Sequence, residues 1–545
     1  MKKRHLFWII PCSLIASLFL AALIGHLISP VPSKKLVTKG KNKKVLTEKE
    51  LEEDLDYLKY YMTTIYCGYP EMVEKGYDID KIIADIKKDC DKDKHGKTYD
   101  SGTFIAAAEK HIIKNHAIED QHFSIGGSSK FPYYLYYSDI YVEAVEAEGK
   151  TKYIVVKNER EKLPEKRIKA LGKYVPADVK AGQEYTGPNT MLFDWFDGNK
   201  KIYRLGTLSR QNLNNLILSF DGKKVTVPVI TNNRLDTAGK LQGMRETKDT
   251  LYISLVNFVF NGGSVMGEQE FKTLCENAKN KSIGKNQIII DLRSNGGGEL
   301  WRAAMLYTYL FYNKTENISY DLITFVSNMI DDGKYTVMSP EFAKSSIYWD
   351  FKNIKEKIKK LKFRKQAKEQ ETDFMRYEKA QIKIRRKQLK WPCLAELFYP
   401  YQSVIKYKSA ETNIQELPAA DFSGDIYILT DRYSASCSEY SIAFLNSLAE
   451  KADVKIHHIG ENTQGAVFYI NPYSTVLPNS GLWLYIPSAR SRSQAFNYPG
   501  FHGEGYGWFP EYWVTHYNLL NTLCNLIDDP ELGTALQGLE KWQLQ

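Results

Sequence analysis

Leu51, Leu55, Leu58, Met62 and Ile65 recur at i, i+4, i+7, i+11 and i+14, which places them on one face of an amphipathic helix. Thr47 with Glu50 supplies a capping-box start for that helix. A second helical pattern runs from about Gly102 to Asn115, so residues 47–121 are expected to form an amino-terminal helical unit. From 122 to 235 the pattern changes to short aromatic and β-branched runs broken by Gly, Asn and Pro, among them YIVV (153–156) and KKVTVPVI (223–230). This predicts a β-rich module. Within it IKALGK (168–173) reads as a strand edge and turn.

The next pattern is strand and helix in alternation. LYISLVNFVF (251–260) reads as a buried strand, Glu268 to Ala278 as a helix, and NQIIIDLR (286–293) as a second buried strand. The chain then turns tightly through Gly296, Gly297 and Gly298 into another helix. After an interruption the arrangement returns, with DIYILT (425–430) as a strand, DRYSAS as a loop and CSEYSIAFLNSLAE (437–450) as a helix. An α/β core is therefore expected over 236–312 and 424–545, split by an insertion at 313–423.

The amino terminus adds a compartment. Leu6 to Ile28 is an almost uninterrupted apolar run, against the roughly 20 residues needed to cross a bilayer. Residues 1–28 are expected to be a membrane anchor or signal peptide, followed by a basic tether at 29–46. With no clean small-x-small exit near Ile28 the retained anchor is favoured, and Cys12 does not make a lipoprotein site. Lys2, Lys3 and Arg4 should stay inside, leaving the bulk of the chain extracytoplasmic on a single-pass anchor, or secreted if the signal is cleaved.

Charge first suggests a nucleic-acid partner and then excludes it. Of 545 residues 74 are Lys or Arg and 65 Asp or Glu, a formal +9. Residues 1–45 hold nine basic and no acidic residues, and 352–390 hold 16 basic and five acidic, so the remainder is net acidic. The 352–390 stretch is expected to be a helical insertion, either merely solvated or binding anionic lipid, cell-envelope polymer or an acidic protein. Nucleic acid would have to be met outside the cytoplasm. The six cysteines beyond the anchor show no metal-ligand spacing, and His457 and His458 read as ordinary strand residues.

Two loops carry candidate chemistry. A strand, a glycine turn and a helix start bring free N–H groups to the positive end of a helix, where an oxyanion or phosphate can sit. The turn lacks the lysine and hydroxyl of a phosphate loop and the spacing of a dinucleotide fingerprint. At the second turn a serine can be lifted into a cleft as a nucleophile, yet Ser434, Ser436 and Ser438 are all competent helix caps. Spacing alone does not choose among them.

DLRSNGGG (291–298), TDRYSASCSEY (430–440), IGENTQG (459–465) and LPNSG (477–481), in that order, resemble the tail-specific, or C-terminal processing, serine peptidase family. The resemblance runs from about Leu51 to Val514, excepting the insertion. It implies a crotonase-like core of ββα units, with 122–235 as a PDZ-like module. It further implies Ser436 as nucleophile and an oxyanion hole at Gly296, Gly297 and the Cys437 N–H. Members with a serine–lysine dyad carry T-x-G-K, whereas here Ala466 follows Thr463, Gln464 and Gly465. A serine hydroxyl needs an adjacent base. The tricorn-type and retinoid-binding-type branch uses a histidine and a glutamate instead. EDQHFS (119–124) resembles its D-x-H segment and HGEGYGWFPEYWV (502–514) its glutamate segment, which implies His122 as base and Glu504 as its partner. Gln121 stands where that branch has a serine, with a bridging role for its amide. The implied activity is peptide-bond hydrolysis on polypeptides, without metal or cofactor, falling below about pH 6 as the imidazole protonates. A non-catalytic peptide- or ligand-binding protein on the same fold is the alternative.

Overall fold

The computed structural model describes residues 36–157, 179–187, 191–229, 243–259, 267–314, 335–339, 420–449, 454–491 and 497–539, and the single positions 34, 318, 323 and 326. The apolar run at 6–28, the turn expected at 168–173 and the basic segment 352–390 lie outside the described residues. Among those that are described, no helix is long and apolar enough to cross a membrane.

The core is a six-stranded sheet in the order β1 (Gly243–Glu246), β2 (Thr250–Ser254), β3 (Gln287–Asp291), β4 (Gly424–Thr430), β5 (Val454–Gly460) and β6 (Tyr512–Trp513). β1 is antiparallel to β2, and from β2 onward every pairing is parallel. Parallel strands are buried on both faces, which is why the middles of β3 (Ile288–Ile290) and β4 (Ile426–Leu429) are continuous apolar runs. On one face Ile288, Ile290, Ile426 and Ile428 pack against helices α1 (Glu268–Ser282), α2 (Leu300–Phe311) and α3 (Cys437–Ala449). On the other Ile289, Tyr427, Leu429 and Ile459 meet Leu519, Leu523 and Leu532 of carboxy-terminal helices that the sequence pattern did not announce.

One expected strand is cut short. LYISLVNFVF stays in the sheet only to Ser254. Beyond it, Phe258 N–H donates to Gly297 O and Glu299 N–H to Phe258 O, so the second half braces the glycine turn.

In the helical unit the capping box of Thr47 and Glu50 is made in both directions. Leu51, Leu55, Leu58, Met62 and Ile65 are all at most 5% exposed. At roughly 1.5–3 kcal/mol per buried side chain, that stripe is what docks the unit. Helices Tyr69–Glu74 and Ile79–Lys92 accompany the expected one, observed at Ser101–Lys114. The unit shares its core with Tyr469, Leu484 and Ile486 of two strands, Tyr469–Val476 and Trp483–Ser491. The motif LPNSG locks the two together: Asn479 N–H and Ser480 N–H donate to the buried carboxylate of Asp54 at 2.9 and 2.8 Å.

Residues 134–228 form a seven-stranded antiparallel sheet in the order Lys223–Pro228, Asn215–Phe220, Glu184–Tyr185, Lys150–Lys157, Tyr134–Ala147, Lys200–Ser209, Met191–Asp197. The strands Ser124–Ile125 and Ser128–Ser129, grouped with this module by the sequence pattern, belong elsewhere. Ser124–Ile125 pairs with Trp483–Ser491, through Leu484 opposite Ile125. That pairing matters for the site, because it carries the segment holding His122 to the carboxy-terminal half of the chain.

Cys67, Cys90, Cys275 and Cys437 are buried as free thiols, and Cys524 is exposed. His457 Nδ1 lies 3.1 Å from Glu511 and His458 Nε2 2.6 Å from the Thr430 hydroxyl, as side chains of one strand.

Candidate active site

The glycine turn after β3 and the serine loop after β4 are laced together. Asp431, which opens the serine loop, accepts from Ser294 N–H at 2.8 Å and from the Ser294 hydroxyl at 2.9 Å. Ala435 N–H donates to Asn295 O at 3.0 Å. Because β3 and β4 are adjacent and parallel, both loops leave the same end of the sheet, where such sites form in α/β folds.

The three serines have different fates. Ser434 Oγ donates to Leu292 O at 2.7 Å and accepts from Asp431 N–H at 3.1 Å, while Ser438 Oγ donates to Asn295 O at 2.8 Å. Both are buried. Ser436 is half-buried, and among the described residues its hydroxyl makes no hydrogen bond. Its φ of 53° lies in the left-handed region, where a non-glycine residue costs on the order of 1–2 kcal/mol. Structure therefore separates what spacing could not: two serines fasten the loop and the third is held out from it.

The helix cap explains how. Ser436 directly precedes α3, and S-x-x-E is a capping-box spacing. Only the glutamate half of the box forms, with Ser436 N–H donating to Glu439 Oε2 at 3.1 Å. Glu439 N–H goes to the Ser436 carbonyl instead of the side chain, at 2.8 Å.

Gly297 has φ of 97°, and a Cβ added there would lie 2.7 Å from Ala435 O, 2.8 Å from Cys437 N and 2.8 Å from Ser436 Cβ. Only glycine fits. Its own N–H donates to Asn295 Oδ1 at 3.0 Å, so it is not a free oxyanion donor as the resemblance implied. Asn295 takes that N–H to fix the turn. The N–H groups of Gly296 and Cys437 donate to no acceptor among the described residues, and Gly296 is open to solvent. Burial pushes the Cys437 thiol well above its ordinary pKa, so it stays protonated.

The second half of the site hangs on the segment 463–468. Gln121 N–H donates to Glu504 Oε1 at 3.1 Å, and Val467 and Phe468 N–H to Glu504 Oε2 at 3.0 and 2.9 Å. Gly465 N–H, Ala466 N–H and the Thr463 hydroxyl donate to Glu439 at 2.9, 2.8 and 2.5 Å. One short stretch of chain is thus gripped by two buried carboxylates, Glu439 from the serine helix and Glu504 from the glycine-rich loop that also holds the Gln121 N–H. Ala466 enters this grip through its backbone N–H.

His122 follows a tight turn made by Asp120, whose Oδ1 accepts from His122 and Phe123 N–H at 2.9 and 3.0 Å. Its Nδ1 is sealed off without a partner. Desolvation alone pushes the imidazole down to about 4, below the value near 6.5 expected from sequence. Two implied contacts are not made. Glu504 is occupied by three backbone N–H groups and does not touch the imidazole, and neither amide atom of Gln121 has a partner. Nor do Ser436 and His122 share a hydrogen bond. Burial, and the charge of Asp120, raise the Glu504 carboxyl well above its ordinary value. Burial likewise raises Asp120 and Glu439, each to about 7.

Glu439 and Asp120 were not singled out from sequence, although each had a signal. Glu439 stands three residues after Ser436 at a helix start, and Asp120 two before His122 in an Asx-turn position.

Residues 249–498, which carry the glycine turn, Ser436 and Glu439, match the model of peptidase family S41. No curated protein matches the chain. Among solved structures it is similar to mature CPAF complexed with lactacystin, at 11% identity over 90% of this chain and 99% of that one, with a TM-score of 0.41. It is also similar to the photosystem II D1 C-terminal processing protease, at 12% identity over 87% and 95%, with a TM-score of 0.31. For the tricorn protease the identity is 15% over 90% of this chain and 37% of that one, with a TM-score of 0.31.

Proposed function

We propose that this serine-type peptidase is an extracytoplasmic endopeptidase of the lysine-free branch, in which Ser436 is the nucleophile and His122 the general base. The observation that carries the reading is the serine loop itself: of three serines, the half-buried one in left-handed conformation has the unengaged hydroxyl. Ser436 Oγ attacks the peptide carbonyl carbon while its proton passes to His122 Nε2. The imidazolium then protonates the leaving amine, and a water releases the acyl group by the same steps in reverse. The N–H groups of Cys437 and Gly296 are the donors for the tetrahedral oxyanion. Glu504 supports the reaction through the backbone beneath His122, not through its ring. Catalytic hydrogen bonds are often long in a free enzyme and tighten in the complex.

The parallel strands and flanking helices of the core support the crotonase-like reading, and the antiparallel sheet between 134 and 228 is assigned in this proposal as the PDZ-like module. The apolar run at 6–28 is assigned as a single-pass anchor, with 352–390 as a basic surface for anionic lipid, envelope polymer or an acidic protein. The absent Ser436–His122 hydrogen bond favours the second reading, a non-catalytic peptide- or ligand-binding protein on this fold. Incubation with an unstructured protein such as β-casein separates the two. The peptidase reading expects internal cleavage that stops once one equivalent of a fluorophosphonate is incorporated. Tight casein binding without cleavage or fluorophosphonate uptake establishes the binding protein instead.

A further inference from the structure

Glu439 is a fully buried carboxylate that makes no ion pair among the described residues. All its partners are hydrogen-bond donors, and they come from two separate parts of the site. Oε2 accepts from Ser436 N–H at 3.1 Å and from Ala466 N–H at 2.8 Å. Oε1 accepts from Gly465 N–H at 2.9 Å and from the Thr463 hydroxyl at 2.5 Å. The grip extends to the glycine-rich loop that carries Glu504. Thr463 Oγ1 accepts from Trp508 N–H at 2.7 Å, and Trp508 Nε1 donates to the Glu439 carbonyl at 3.1 Å.

We infer that Glu439 is the positioning residue of the active site, setting both the left-handed turn of Ser436 and its spacing from the segment that leads through Glu504 to His122. The inference rests on the reading of Ser436 as nucleophile. A residue at φ 53° persists only where its surroundings over-determine it, and the Ser436 N–H is fixed by this one carboxylate. The same oxygen holds Ala466 N–H, and the next N–H along, at Val467, is held by Glu504. Glu504 in turn holds Gln121, the residue before His122. Nucleophile and base segments are therefore tied by two carboxylates across one peptide unit, with no direct bond between them.

Of the four donors facing the carboxylate only the Thr463 hydroxyl can also accept, and it already takes the Trp508 N–H at 2.7 Å, so an added proton breaks at least one of these bonds. Burial brings that event into reach, raising the carboxyl to about 7 against the pull of its hydrogen bonds. The titratable groups on the elements packed around it are Cys437 and Tyr440 on α3 and Glu504 across the 465–468 segment. Cys437 stays protonated, the Tyr440 hydroxyl donates to Val467 O at 2.9 Å, and Glu504 is itself raised.

The test is Glu439→Gln in the full chain, which keeps the shape but turns one acceptor into a donor facing donors. The expected result is a roughly 100-fold slower fluorophosphonate reaction and kcat, with KM within about threefold of wild type. The acid limb near pH 7 in wild type should also be lost, leaving a fall near pH 4. A labelling rate and pH profile equal to wild type would overturn the inference. Should Glu439→Gln fail to fold, Thr463→Val decides: about tenfold slower labelling with unchanged KM supports it, and unchanged labelling overturns it. Wild type that takes up no probe at Ser436 sinks the nucleophile reading itself, whereas normal labelling with an unaffected variant sinks only the role of Glu439.

Discussion

Ser436→Ala should lower casein hydrolysis by at least about 10⁴-fold while leaving the fold intact. The Ser436 hydroxyl holds nothing in the structure, so its loss should cost no more than about 0.5 kcal/mol and move the melting temperature by about 2 °C or less. Ser434→Ala and Ser438→Ala make the contrasting pair. Ser434→Ala gives up its bonds with Leu292 O and Asp431 N–H, and Ser438→Ala its bond to Asn295 O, so each should lose about 1–2 kcal/mol of stability while keeping Ser436 reactive. Fastening of the loop and catalysis are thus separable by experiment: the fastening variants melt early and still react, and the nucleophile variant melts normally and does not. Residual hydrolysis near the wild-type level in Ser436→Ala would remove it from the mechanism.

His122→Ala is the second large effect, with hydrolysis and fluorophosphonate labelling both expected to fall by about 10³–10⁴-fold. The turn around it should survive, because Asp120 binds the backbone N–H groups of His122 and Phe123 and not the ring. The pH dependence carries a further signature. A base works in its neutral form, and burial depresses this imidazole to about 4, so protonation of His122 leaves activity intact until the pH approaches 4. An unperturbed histidine would have placed that fall near 6. In wild type the Glu439 step near 7 comes first as pH is lowered, and the imidazole step is read in Glu439→Gln. A fall centred near pH 6 in that variant, or labelling of His122→Ala at the wild-type rate, would contradict the assignment.

How much of this was legible in the sequence varies with the range of the interactions. The stripe Leu51 to Ile65 was readable because its signal is local, one face and one cap, and all five side chains are buried. Strands β3 and β4 were readable for the same reason. Ile79, Ile82, Ile86 and Cys90 behind the Asp78 cap form an equally regular helix face, and it went unused. What could not be read was pairing between distant segments. Nothing near Ser124 and Ile125 says that they join Leu484 and Tyr485, yet that register brings the His122 segment to the site. In the same way Gly297 was rightly singled out for the wrong atom. A triple glycine suggests free N–H groups, but here the constraint is the missing side chain against Cys437 N, and Asn295 consumes the N–H. Glu504 shows the same limit, since spacing located the carboxylate but not the three backbone donors that occupy it.

The most direct measurement is the mass of the fluorophosphonate adduct on the tryptic peptide Tyr433–Lys451, followed by fragmentation to the residue. That peptide contains Ser434, Ser436, Ser438, Ser441 and Ser447, so it offers the probe every competing hydroxyl of the loop and helix. One phosphonyl group on Ser436 is the predicted result. An adduct on any other serine of that peptide, or an unmodified peptide from an enzyme that still cleaves casein, would contradict the account.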